Sequence, residues 1–261
     1  MSELVAINKL LMDGLKPSHC DQHGHYESRS LFRNVWSRCP VCSANETKKQ
    51  HHEDELKRRG EALVAWNKSL GHAAIPKRFI DRRLDEYKVD SIGQRKALTF
   101  AKHYADNFNE VLDTGRCAIF CGKPGTGKTH LAIGIGLQIM ENDRRSVLFS
   151  TVSRAIRRVR DTWGSERVES TTAAFKAFEY PDLLILDEVG FQQGTESEAE
   201  ILFSIINDRY ESKKPTIMIS NLDLDGVKTC LGERVFDRIR EGGGEVVIFD
   251  WESMRGDVVV A

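Results

Sequence analysis

Gly122-Lys123-Pro124-Gly125-Thr126-Gly127-Lys128-Thr129 fits the pattern G-x-x-x-x-G-K-[ST]. A strand-like run, Cys117-Ala118-Ile119-Phe120-Cys121, leads into it, and a helix-like run over residues 130–140 follows. In that context glycines let the backbone curl so that successive N–H groups face phosphate oxygens. The start of the helix adds positive potential at the same point. The implied chemistry is binding of ATP with Mg²⁺. Lys128 is expected to reach the β- and γ-phosphates, and Thr129 to ligate Mg²⁺. The nucleotide-binding set is Gly122, Lys123, Pro124, Gly125, Thr126, Gly127, Lys128 and Thr129, with His130 next to it.

A second constellation is Leu183-Leu184-Ile185-Leu186-Asp187-Glu188. Four apolar residues make a buried strand, and its two acids stand at the C-terminal end, where open α/β sheets bind ligands. Asp187 is expected to hold Mg²⁺ through water, and Glu188 to polarise the attacking water. Ile217-Met218-Ile219-Ser220-Asn221 is another buried strand, ending in an amide that can orient water between the acids and the γ-phosphate. Together these residues describe ATP hydrolysis.

The third constellation is Cys20-Asp21-Gln22-His23 with Cys39-Pro40-Val41-Cys42, two ligand pairs separated by fifteen residues. Four N/S ligands suit tetrahedral Zn²⁺. Residues 18–43 carry little apolar content, so zinc would contribute the folding energy that this segment lacks. His23 is the preferred histidine because its spacing mirrors Cys39–Cys42, with His19 and His25 as rivals. Cys117, Cys121 and Cys230 are read as small buried hydrophobes.

The elements that must position these groups follow from composition and rhythm. At about 150 residues per domain, 261 residues make one large domain or two unequal ones. With 40% hydrophobic and 30% charged residues the chain can bury a core. A net charge of -1 excludes a histone-like protein but not a local basic patch. No apolar run approaches a membrane span, residues 1–16 lack a signal cleavage site, and so few cysteines make no disulfide scaffold. A cytoplasmic protein with no membrane partner is expected.

Leu4, Ile7, Leu11 and Leu15 have helical spacing, with Pro17 as the stop. Residues 1–43 are therefore expected to hold a helix and a zinc module, 44–70 a charged linker helix, and 71–261 the nucleotide domain. In the last of these, short apolar runs at 117–120, 146–149, 183–186 and 216–219 alternate with helical stretches. That alternation predicts an α/β fold, a parallel sheet covered by helices on both faces.

With these motifs in place, Leu231-Gly232-Glu233-Arg234-Val235-Phe236-Asp237-Arg238 completes a resemblance to the DnaC/DnaI group of AAA+ ATPases, bacterial and phage helicase loaders. It covers about residues 70–258, including Ile75-Pro76-Lys77-Arg78-Phe79 and Phe249-Asp250-Trp251-Glu252-Ser253-Met254-Arg255. The resemblance implies an AAA+ P-loop NTPase fold. It implies that Arg234 is a finger completing a neighbouring subunit's ATP site, with Arg238 as second choice, and that Arg255 is a sensor for its own subunit's nucleotide. His23-Gly24 also resembles the Cys-x-x-His-Gly pattern of zinc-bearing phage loaders.

The implied partners are a DnaB-type replicative helicase hexamer, single-stranded DNA, and further copies of the chain in a spiral. The helicase contact falls either to the N-terminal helix or to the zinc module. Arg144, Arg145, Arg154, Arg157, Arg158 and Arg160, with Trp163, are the candidate DNA-contacting residues, and Val189-Gly190-Phe191-Gln192-Gln193-Gly194 is a second candidate. The implied function is ATP-dependent loading of the replicative helicase. The alternative is an IstB-like ATPase helper of transposition, against which the zinc cluster and the Gly-Glu-Arg-Val-Phe-Asp-Arg run argue. A non-catalytic adaptor would not need Lys128, Asp187, Glu188 and Asn221.

Overall fold

The computed structural model describes residues 14–32, 35–164, 168–191 and 195–254. The chain divides into two units, Met1–Trp66 and Asn67–Ala261.

In the first unit β1 (Leu15–Cys20), β2 (Gly24–Phe32) and β3 (Val35–Trp36) form an antiparallel sheet in that order. Leu4, Ile7 and Leu11 lie outside the described residues. Leu15 does not continue a helix. It opens β1 opposite Arg29, and Pro17 sits opposite Glu27. β1 is an edge strand, where a proline's missing N–H breaks no ladder bond, so pairing with β2 overrides the helical spacing. Among the described residues of this unit only Ser28 and Cys39 are buried. Among those described residues, apolar burial contributes little to holding the unit together.

Helix α1 (Pro40–Ala73) follows, starting earlier and ending later than the expected 44–70. Pro40 stands at the first helical position, where no N–H is needed. The helix runs through Gly71 and stops before Ala74, whose φ of 53° is left-handed and which lies two residues before Pro76.

The second unit is built on a five-stranded sheet in the order β5-β6-β7-β4-β8, every pair parallel. Its strands are β4 (Ala118–Gly122), β5 (Val147–Thr151), β6 (Leu183–Asp187), β7 (Thr216–Ile219) and β8 (Glu245–Phe249). Side chains alternate between the faces. Ile119, Cys121, Leu184, Leu186 and Met218 face α5 (Val152–Asp161), α6 (Thr171–Glu179), α7 (Glu196–Glu211), α8 (Leu224–Leu231) and α9 (Glu233–Glu241). Phe120 and Ile185 face the other way, toward α2 (Ile92–Asp106) and α4 (Lys128–Asn142), while α3 (Phe108–Thr114) follows α2. β8 lacks an uninterrupted buried run and was not among the expected strands.

Helices α2, α5, α6, α7 and α8 begin at side-chain caps, from Ser91, Thr151, Ser170, Thr195 and Asp223. Helix α4 does not. It begins at Gly127, whose φ is 94°, and no side chain caps its first N–H groups. No described helix is long and apolar enough to cross a membrane.

Candidate functional site

The loop between β4 and α4 is held open as a concave backbone. Gly122, Gly125 and Gly127 take φ values of 123°, 78° and 94°, a region side chains disfavour. A Cβ on Gly122 would strike the Phe249 carbonyl, and one on Gly127 would strike the Tyr87 ring. Lys128 is buried, and its ammonium donates to the carbonyls of Gly122 and Lys123 at 2.7 and 2.6 Å. The Thr126 hydroxyl donates to the Lys123 carbonyl at 2.8 Å. The first N–H groups of α4 have no helical acceptor behind them. An anion is the natural partner for that set.

Across the loop stands the end of β6. Thr129 Oγ1 donates to Asp187 Oδ2 at 3.0 Å, and the Glu188 N–H donates to Asp187 Oδ1 at 2.7 Å. Burial pushes the Asp187 carboxyl up, opposed by the Glu188 N–H, the Thr129 hydroxyl and the Lys128 charge. Asp187 therefore has the surroundings of an acid that a dication would stabilise in its ionised form. Glu188 is exposed and left-handed, with φ 64°, so its side chain leaves the strand direction. Strain of that kind concentrates at functional positions.

Asn221 is exposed just past β7, between the ends of β4 and β6. Its neighbours are fixed: the Gly122 N–H donates to the Leu222 carbonyl at 2.9 Å, and the Ser220 hydroxyl donates to the Val189 carbonyl at 2.6 Å.

His130 is turned elsewhere. Its Nε2 lies 2.9 Å from the Arg83 carbonyl and its ring meets the Tyr87 ring edge-on at 5.4 Å. Burial lowers its pKa, so the neutral ring is favoured. Its imidazole is thus committed to Arg83 and Tyr87.

Sequence reading missed two residues of this site, Tyr87 and Trp251. Both donate to the Thr126 carbonyl, each at 3.0 Å. Trp251 was noted only as part of a closing motif, and nothing local marks Tyr87.

On α9, Arg234 is exposed and has no acid in ion-pair range among the described residues. Arg238, one turn on, lies over the rings of Phe203 and Tyr210 at 5.1 and 5.3 Å. Asp237 pairs with Arg240 at 2.8 Å rather than with either of them. Arg255, like residues 192–194, lies outside the described residues.

The arginines of α5 divide in the same way. Arg158 grips Glu169 with two bonds, at 2.7 and 3.0 Å, and Arg160 reaches Glu198 at 3.2 Å. Arg154 and Arg157 are exposed and, with Arg158 and Gly164, line an open groove of about 690 Å³. Trp163 and Phe191 are largely exposed, while Arg145 bonds Asn109 at 2.7 Å.

In the first unit Cys20, His23, Cys39 and Cys42 converge, their ligand atoms all within 4.8 Å of one another. The hairpin turn after β1 brings Cys20 and His23 together, and the N-terminus of α1 brings Cys39 and Cys42. Cys20 Sγ to Cys42 Sγ is 3.6 Å, and His23 Nδ1 lies 3.6, 3.7 and 3.2 Å from the sulfurs of Cys20, Cys39 and Cys42. Tetrahedral Zn²⁺, with bonds of about 2.3 Å to sulfur and 2.0 Å to nitrogen, sets such edges at about 3.5–3.8 Å. The donor set fits zinc. The Gln22 N–H and then His23 draw the Cys20 thiol down to about 6, while the Cys20 sulfur and burial push Cys42 up to about 11. His19 and His25 oppose each other across the hairpin, ring to ring at 4.7 Å, apart from this group.

Comparison with known proteins identifies the family of the chain. A family model described as "IstB-like ATP binding protein" matches residues 107–256. The replicative helicase loader DnaC of Buchnera aphidicola (subsp. Acyrthosiphon pisum) is 35% identical over 210 residues, 78% of this chain and 84% of that protein. The replicative helicase loader DnaC of Escherichia coli K12 is 33% identical over 222 residues, 76% of this chain and 88% of that protein. A crystal structure of the DnaC helicase loader superposes with a TM-score of 0.60 at 27% identity, covering 67% of this chain and 100% of that one. With more than half of its length matched by the family model and over three-quarters aligned to the loaders, this chain belongs to the IstB/DnaC family of AAA+ ATP-binding proteins.

Proposed function

We propose that the protein is an ATP-dependent loader that places a replicative ring helicase on single-stranded DNA. The observation that carries this reading is the 35% identity to a replicative helicase loader across 78% of the chain.

In this reading the loop 122–129 and the first turn of α4 take the phosphates. Lys128 exchanges the carbonyls of Gly122 and Lys123 for phosphate oxygens. Thr129 and Asp187 would hold Mg²⁺, which would neutralise charge on the β- and γ-phosphates. Glu188 draws a proton from water as the water oxygen bonds to the γ-phosphorus and the bond to the β–γ bridging oxygen breaks. Asn221 orients that water. Arg234, exposed and without an ion-pair partner among the described residues, completes the site of a neighbouring copy in a spiral, so hydrolysis depends on assembly.

Residues 1–43 and α1 present the helicase-contacting module, with zinc on Cys20, His23, Cys39 and Cys42 acting as a structural crosslink. Arg154 and Arg157 contribute to a grip on DNA phosphates. One observation favours a second reading, a transposition helper: the matching family model is described by the IstB name.

The two are separated by capture of a purified helicase hexamer on the immobilised full-length chain with ATP or ADP. Capture that Cys39→Ser weakens supports loading through the N-terminal module. No capture under any nucleotide condition, with tight binding to duplex DNA, supports the transposition helper.

A further inference from the structure

Three bonds outside the phosphate loop hold two of its peptide groups. Tyr87 Oη and Trp251 Nε1 each donate to the Thr126 carbonyl at 3.0 Å, and the Met254 N–H donates to the Gly125 carbonyl at 2.9 Å. A trans peptide is planar, with its C=O and N–H on opposite sides. Pinning the Thr126 carbonyl outward therefore aims the Gly127 N–H inward, into the concavity of the loop. Pinning the Gly125 carbonyl does the same for the Thr126 N–H. Lys123 is anchored by its own N–H, which donates to the Phe249 carbonyl at 2.9 Å.

The donors themselves are well fixed. Trp251 packs against Phe249, tilted by 43° with ring centres 4.8 Å apart, and Gly93 leaves it room, since a Cβ there would stand 3.0 Å from the indole. Tyr87 packs against Gly127 and meets His130 edge-on at 5.4 Å. Burial pushes its phenol up to about 12, so it remains a donor at any physiological pH. Tyr87 lies 39 residues before Thr126 and Trp251 lies 125 residues after it. Distant parts of the chain thus meet on one carbonyl.

We propose that Tyr87 and Trp251 are positioning residues that pre-form the phosphate loop by jointly orienting the Thr126–Gly127 peptide, making nucleotide affinity depend on the seating of residues 249–254. This rests on the reading of the loop as a nucleotide site. Neither side chain touches the γ-phosphate in this scheme, so ADP and ATP should weaken alike when the donors are removed. Because both bonds end on one oxygen, either alone retains much of the orientation, and removing both releases the peptide.

The test uses the full-length chain with Tyr87→Phe, Trp251→Phe and the double variant, which keep aromatic rings and delete the donors. Calorimetry gives the Kd for MgADP and MgATP, and thermal melting without nucleotide monitors the fold. Each single variant is expected to raise Kd about threefold and the pair more than tenfold, by about the same factor for both nucleotides. Nucleotide-free melting should move little.

A double variant whose Kd stays within about twofold of wild type overturns the proposal. So does a loss that merely follows a drop in melting temperature. Lys128→Ala is the separate control. Wild-type binding that this change abolishes upholds the nucleotide reading whatever the clamp variants do. A wild-type chain that binds neither nucleotide overturns that reading, and the clamp with it.

Discussion

Thr129 and Asp187 are joined by a 3.0 Å hydrogen bond that ties the first turn of α4 to the end of β6. The bond sets a hydroxyl beside a carboxylate, the pair that would share a Mg²⁺ ion in the proposed reaction. Glu188, one residue on, is exposed and turned by its φ of 64°. The two acids therefore have separable roles. Glu188→Gln is expected to keep MgATP binding while lowering the assembled hydrolysis rate by about 10²–10⁴-fold. Asp187→Asn should instead weaken the magnesium dependence of binding. Phosphate release and nucleotide titration on both variants check this, and equal binding losses would refute the division.

The first unit makes a sharper prediction because its described residues bury so little. Ser28 and Cys39 are its only buried side chains among the described residues. Metal analysis of the purified chain should find about one zinc per molecule. Cys39→Ser and His23→Ala should lose it, whereas His19→Ala and His25→Ala should keep it. Chelation should expose the first unit to protease and spare nucleotide binding by the second. Zinc retained in His23→Ala would reassign the fourth ligand.

Arg234 and Arg238 share a face of α9 but not an environment. The guanidinium of Arg238 lies over Phe203 and Tyr210 of its own chain, and the stack is worth about 1 kcal/mol or more. Arg238→Ala should therefore lower the melting temperature. Arg234→Ala should leave it unchanged and abolish only the rise in ATPase rate with protein concentration or with helicase present. Mixing Arg234→Ala with Lys128→Ala chains should restore part of the rate, because each supplies what the other lacks. No recovery in the mixture would count against a finger acting between subunits.

The parts of this molecule that could be read from its sequence are those whose signal is local. The loop 122–129 and the acids at the end of β6 are legible because their patterns lie in adjacent residues. β8 escaped because it is an edge strand, with Ile248 more than half exposed and Glu245 at its start. The spacing of Leu4, Ile7, Leu11 and Leu15 suggested a helix, yet Leu15 belongs to a hairpin fixed by strand pairing and by the Cys20–His23 turn. Tyr87 and Trp251 were illegible because their shared partner is far away in the chain. The arginines of α5 were correctly seen as basic, but the acid that occupies Arg158 arrives from residue 169.

That last contact changes which arginines should matter for DNA. Arg158 is held by Glu169, so Arg154 and Arg157 are the side chains left to meet phosphates. Arg154→Glu with Arg157→Glu is expected to weaken single-stranded DNA binding strongly at low salt and to flatten its salt dependence, by about 0.7 in log–log slope per lost phosphate contact. Arg158→Glu should act mainly on stability, by setting a like charge against Glu169. Fluorescence anisotropy across a salt series, paired with melting curves, separates the two effects. Unchanged affinity in the Arg154/Arg157 variant would remove α5 from the DNA interface.

A final prediction concerns acid at the opposite end of the sheet. Asp182 precedes β6 and accepts from the Ser146 N–H and hydroxyl at 3.0 and 2.9 Å and from Lys214 at 2.8 Å. Burial alone would raise its pKa, but Lys214 and the two Ser146 bonds outweigh burial, and the net shift is downward. A carboxyl whose folded pKa lies below its unfolded value of about 3.9 binds more protons unfolded than folded. Its stabilisation is complete above that value and is lost as pH falls through the folded pKa. Asp182→Asn should therefore melt lower than wild type at pH 6, by about 2–4 °C for a contribution near 1 kcal/mol after discounting its partial exposure. Below about pH 4 the gap should begin to narrow, and it should close only once the pH lies below the folded pKa, where the wild-type carboxyl is protonated as well. A gap that persists unchanged into acid would assign the loss to geometry at the start of β5 and β6 rather than to charge.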